Sequence, residues 1–240
     1  MKNTIFVILA LILAFNNMYA QDDYAKQRVA SYKRVEIGGD FSKLTENEKK
    51  MIPLLIEAAK IIDDLFWKQN FGDKESLLSK VKDDYARQFC MINYGPWDQL
   101  NDEKPFVEGF GPKPDGANFY PVEMTKADFE KIHDPLKTSP YSVIRKDGNE
   151  YRVIMYSKAY ENELKQISSL LKKASAYADD AGLKRYLELR ADALLTDNYQ
   201  PSDFAWMEMK NNTIDVVIGP IENYTDQLFG NKTSFESYVL

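Results

Sequence analysis

The chain has 240 residues with a formal net charge of -6, one histidine and one cysteine. That length can bury a real core, as one domain or two small ones, and the acidic balance excludes a nucleic-acid binder, which needs a concentrated basic face. A hydrophobic content of 44% is ordinary for a globular protein, and a lone cysteine cannot form an internal disulfide, so stability rests on packing.

Lys2 precedes an apolar run, Ile5 to Phe15, that is too short to span a membrane. With Ala20 standing before Gln21-Asp22-Asp23, residues 1–20 read as a cleavable signal peptide. The expected location is exported, periplasmic or extracellular, with no stable membrane span; an uncleaved anchor is the alternative. Residues 21–43 are polar and mixed, broken at Gly38-Gly39.

Thr45-Glu46-Asn47-Glu48 fits a capping box. It opens an amphipathic helix with Met51, Leu54, Leu55, Ala58, Ala59, Ile62, Leu65 and Phe66 on one face. Pro53 is tolerated if the helix effectively begins near it. A second helical pattern, Glu75 to Phe89, puts Leu78, Val81, Tyr85 and Phe89 on a stripe. Proline and glycine break every period over residues 93–121, where Trp97, Phe106, Phe110, Phe119 and Tyr120 either line an apolar cleft or plug the loop onto the helices. Plugging is the expected use.

Thr125 starts a short helix, and Ser142 to Tyr156 reads as a hairpin around Asp147-Gly148. Helices are expected over roughly Lys158 to Ala178 and Ala181 to Leu195, followed by a loop, Asn198 to Trp206, that leads to the final strand. The two lone metal-capable residues read blandly: Cys90 as a small buried side chain, and His133 as a surface or capping histidine.

The last stretch carries the chemistry. Asp215 to Ile218 reads as a buried strand broken by Gly219-Pro220, after which Glu222, Tyr224 and Asp226 fall at alternate positions. In an extended segment such positions share a face. An acid, a phenol and a second acid then project together, a grouping suited to holding a cation such as a peptide's free amino terminus beside a polarisable carbonyl. The plainer reading is an edge strand with a solvated polar face. Tyr238-Val239-Leu240 falls in what reads as a helix begun near Thr233-Ser234, so the chain is expected to be truncated at 240.

Gly219-Pro-Ile-Glu-Asn-Tyr-Thr-Asp226 with Phe229-Gly and Phe235-Glu236 resembles the ESYRD…GxxxxFE segment of the dipeptidyl-peptidase III family of zinc exopeptidases, peptidase family M49. Ile92 to Leu100, Gly116 to Pro121 and Met124 to Lys126 resemble its bacterial branch. The likeness runs from about Leu55 to the end, and it implies an α+β fold: a helix-rich lobe, residues 44–240, around a small antiparallel β-sheet or β-barrel. By resemblance Glu222 and Glu236 bind the substrate's free amino group and Tyr224 assists the scissile carbonyl. The sequence departs from the motif at Thr225, where the family has arginine, and by one extra residue between Tyr224 and Glu236.

The family's zinc motifs, HExxGH and EExxAE, do not occur in the chain. A catalytic zinc takes three protein ligands, and neither lone residue has partners at such spacing. The resemblance therefore implies the N-terminal, substrate-binding lobe of an exported exopeptidase that removes dipeptides from peptide N-termini. Zinc would be the cofactor of the full-length metallopeptidase, held in a C-terminal catalytic lobe outside this chain, which alone binds no metal and is not catalytic. Its partners would be that lobe and a peptide with a free N-terminus. Two alternatives stand beside this reading: a secreted, non-catalytic peptide- or amine-binding module, and a structural helical domain with no site.

Overall fold

A computed structural model describes residues 24–240; the leader and its cleavage point lie outside the described residues. These residues form two compact units, each assembled from separate stretches: residues 24–37 with Phe71–Pro114, and Gly38–Asn70 with Asp115–Leu240. Among the described residues no helix is long and apolar enough to cross a membrane.

The first unit contains α1 (residues 24–31), α3 (Lys74–Lys80), α4 (Asp84–Asn93) and a short antiparallel ladder, β1 (Trp97–Asp98) with β2 (Lys104–Pro105). The single helix expected over Glu75 to Phe89 is two helices. Asp73 and Asp83 each cap one, their carboxylates accepting from Ser76 N and Ala86 N, and the second cap stops the first helix before its stripe can continue. In consequence Leu77 is buried rather than Leu78, and Tyr85 is exposed. Trp97 and Phe106 are buried as plugs, with Phe106 against Phe89 at 4.5 Å between ring centroids. Asp98 is fully buried and accepts from Tyr24 Oη at 2.7 Å and Arg28 Nε at 2.6 Å, which pins the N-terminal helix to this unit.

The second unit is built on α2 (Glu46–Asn70), which packs on α7 (Glu161–Ser175), and α7 in turn packs on α8 (Ala181–Thr196). The capping box forms: Thr45 N donates to Glu48 Oε2 at 2.8 Å, and Glu48 N to Thr45 Oγ1 at 3.1 Å. Pro53 lies inside this helix rather than at its start. Pro53 and Lys49, whose carbonyl loses its partner, are both exposed, so water can satisfy it. Met51, Leu55, Ala58, Ile62 and Leu65 supply the buried stripe.

Smaller elements cover this core: α5 (Lys126–Glu130) with a Thr125–Asp128 capping box, the hairpin β3 (Ser142–Asp147) and β4 (Glu150–Met155), α6 (Tyr156–Ala159) and α9 (Gln200–Glu208). The hairpin turn is Gly148-Asn149, one residue later than Asp147-Gly148, because Asp147 pairs with Glu150. Gly148 has φ +61 and Asn149 does not share that sign, as a II′ turn asks. The expected loop at Asn198 to Trp206 is mostly helix: Pro201 sits in the first turn, where its missing N–H costs nothing, and Ser202 and Ala205 are buried.

The last pair is β5 (Val216–Glu222) with β6 (Ser234–Val239), antiparallel. Two expectations change here. Gly219-Pro220 does not end β5, which runs on to Glu222 through an irregularity at Pro220/Glu222. Ser234 to Val239 is a strand rather than the start of a helix, so the cut helix that suggested truncation does not exist. The helix-rich α+β class holds, and among the described residues the strands form three two-stranded sheets rather than a barrel.

Candidate functional site

Strand β6 packs on α2, and the end of that helix holds it in place. Gln69 is fully buried; its Oε1 accepts from Phe235 N at 2.7 Å and its Nε2 donates to Thr233 O at 3.3 Å. Tyr156 Oη donates to the same Thr233 carbonyl at 2.8 Å. Val216, Ile218 and Phe235 turn into the core. The pleat therefore places Glu236 and Tyr238 on the other face.

Glu236 stands opposite Gly219 in the register. Tyr224 reaches the same carboxylate from the turn beyond β5. Tyr224 Oη donates to Glu236 Oε1 at 2.5 Å, and Tyr238 Oη to Glu236 Oε2 at 3.1 Å. Tyr224 and Tyr238 are 60% and 54% exposed, so the cluster opens to solvent. Burial and the bond to Glu236 raise Tyr224 above its ordinary range, the bond to Glu236 raises Tyr238, and the Glu222 charge adds to both. Both phenols therefore stay protonated donors at neutral pH. Glu222, at the end of β5, is exposed.

Three of the sequence-predicted residues thus share one neighbourhood, while Asp226 does not join them. The chain turns at Tyr224-Thr225, so strand alternation stops, and Asp226 is buried as the anchor of the loop. Its Oδ2 accepts from Tyr120 Oη at 2.8 Å, Asn231 N at 2.9 Å and Lys232 N at 3.0 Å; its Oδ1 accepts from Leu228 N and Phe229 N. Phe229 stacks on Phe129 with centroids 4.2 Å apart. This loop carries the chain from Tyr224 round to Glu236, spanning the extra residue.

Lys232 braces it from inside. The side chain is fully buried, and Nζ donates to Lys137 O at 2.6 Å, Ser139 O at 2.9 Å and Ser142 Oγ at 2.7 Å. Tyr238 and Lys232 went unread in the sequence. The alternation Phe235-Glu-Ser-Tyr-Val239 is a strand signal that would have placed Tyr238 beside Glu236; nothing local marks Lys232 as buried.

Among the described residues no group of three or more His, Cys, Asp or Glu side chains is placed to hold a metal ion. His133 is exposed after α5, and Cys90 is buried with its thiol pushed up to about 12 by burial, the state of an inert cysteine. The described residues do not fit a zinc site.

The second unit is a helix-rich lobe with an acid–phenol cluster on the open face of its last strand pair. The chain has the fold of dipeptidyl-peptidase III, peptidase family M49, and resembles the N-terminal lobe of that family. It is 40% identical to the DPP III of Caldithrix abyssi, with a TM-score of 0.85 over 89% of this chain. It is 33% identical to the dipeptidyl-peptidase III of Corallococcus sp. strain EGB, with a TM-score of 0.84 over 91% of this chain. The chain spans 43% of each of those two solved chains. It is also 27% identical to a protein named Nudix hydrolase 3 from Arabidopsis thaliana, over 93% of this chain and 37% of that protein. No protein-family model matches the chain.

Proposed function

We propose that this chain is the substrate-binding lobe of an exported, zinc-dependent exopeptidase that removes dipeptides from peptide N-termini, with the metal-binding residues outside it. The Tyr224–Glu236 hydrogen bond carries the reading, because it joins two assigned residues from opposite ends of the loop between β5 and β6. Glu222 and Glu236 hold the substrate ammonium. A carboxylate offers about four lone-pair sites; the two phenols use two on Glu236, and the rest face solvent for charge-assisted bonds to the amine. Demanding a free amine makes the enzyme an exopeptidase.

Tyr224 has one proton to donate. In the resting site it goes to Glu236; an ammonium on Glu236 replaces that donor and lets the phenol turn to the scissile carbonyl. There it stabilises charge that develops only in the transition state. Export rests on the leader, and N-terminal sequencing of natural protein should begin near Gln21.

The test is steady-state kinetics of the full-length protein carrying this chain, with a dipeptidyl-arylamide. Glu222→Gln should raise KM roughly ten- to a hundredfold, the worth of one charge-assisted bond at about 1.5–3 kcal/mol. Tyr224→Phe should lower kcat with little change in KM. Unchanged kinetics in both variants would leave the resemblance as one of fold only. Peptide binding without any hydrolysis by the full-length protein would mark the chain as a binding module instead.

A further inference from the structure

Glu236 is tied by a second phenol that none of the assigned roles uses. Tyr238 lies two residues along β6, on the same face, and donates to Glu236 Oε2, the oxygen that Tyr224 does not touch. Opposite Glu236 stands Gly219, whose φ of +133 suits glycine alone. Directly across the strand pair, therefore, no side chain meets the carboxylate. Its orientation depends on the two phenols, and one of them is the residue that must leave Glu236 when it acts on the carbonyl.

We propose that Tyr238 is the positioning residue of this site: its hydroxyl keeps the Glu236 carboxylate aimed at the substrate ammonium while Tyr224 turns to the scissile carbonyl. The inference rests on the reading of Glu236 as an amine-binding group. It gives the two phenols separate tasks. Tyr224 acts on the reacting carbonyl, and Tyr238 acts only through Glu236.

The separation is measurable in the full-length protein carrying this chain. Tyr238→Phe should raise KM for a dipeptidyl-arylamide with a free N-terminus three- to tenfold and leave kcat within twofold. In a Glu236→Ala background the same substitution should have no further effect on kcat/KM, because the group it positions is gone. Glu236→Gln serves as a second background, its amide keeping the carboxylate's shape. Wild-type KM in Tyr238→Phe, or an equal penalty in both backgrounds, would overturn the positioning role. The site reading would survive that result provided Glu236→Ala alone still raised KM. If Glu236→Ala leaves KM unchanged, both fall together.

Discussion

Replacing Lys232 by methionine should expose a pH dependence that the fold builds into this lobe. The lysine is fully buried, and burial brings its ammonium down from an ordinary 10.5 to about 8, although the nearby Asp226 charge pulls the other way. In the unfolded chain it returns to the ordinary value. Between those two pH values the unfolded chain holds more protons than the folded one, so the lysine's contribution to stability rises with pH through that window. The span from about 8 to 10.5 corresponds to about 3 kcal/mol at 1.36 kcal/mol per pH unit.

Below pH 8 that cost is fully present, set against three hydrogen bonds to Lys137 O, Ser139 O and Ser142 Oγ. Methionine keeps the shape, removes the charge and leaves the two carbonyls without this donor, at about 1–3 kcal/mol for each left unsatisfied. Urea unfolding of wild type and Lys232→Met, followed by circular dichroism from pH 7 to 10.5, reads the difference. Wild type should be the more stable at pH 7, and its advantage should grow by about 3 kcal/mol by pH 10.5. Buried tyrosines such as Tyr120 and Tyr156, raised mainly by burial, lower the stability of both proteins above pH 10 and cancel in the comparison. A difference that stays flat across this range would refute the buried ammonium.

Asp226→Asn should cost about 3 kcal/mol and loosen the loop between Tyr224 and Glu236, because an amide nitrogen would face backbone donors that now meet an oxygen. Hydrogen exchange at Leu228 through Lys232 should rise with the fall in melting temperature. Gly219→Ala should destabilise by about 1–3 kcal/mol, since φ is +133 and its Cβ would stand 3.1 Å from Arg190 Nη1. Arg190 cannot easily give way, being buried and paired with Asp203. Cys90 should stay unmodified by a thiol reagent at pH 8 until the protein unfolds, with a thiol pushed up to about 12; labelling of native protein at the rate of a free thiol would contradict its burial.

What could be read in advance followed from how local the deciding interaction is. Thr45 with Glu48 and Thr125 with Asp128 close capping boxes within four residues, and both helix starts are visible in the letters. The strand pair at the site is decided by partners far away. Ser234 and Thr233 look like a helix start, but Phe235 points into the core and Gln69, far back in the chain, supplies a bond to its backbone. Gly219-Pro220 looks like a break, yet pairing with Phe235 and Glu236 carries the strand through it. Asp226 shares the alternate spacing of Glu222 and Tyr224 and still turns inward, because the chain leaves the extended conformation at Tyr224. Glu236 was reached only through the family motif.

The amide of Gln69 does for β6 what a third strand would otherwise do. One side chain occupies the acceptor of Thr233 and the donor of Phe235, the two main-chain groups through which a foreign strand would begin to zip on. An intruder would have to evict a fully buried side chain to gain those two bonds. The lobe can therefore leave its acid–phenol face open to solvent without offering a foreign strand those two groups. Loss of that amide would show first as self-association of refolding chains, a fault of solubility arising at a residue that touches no substrate.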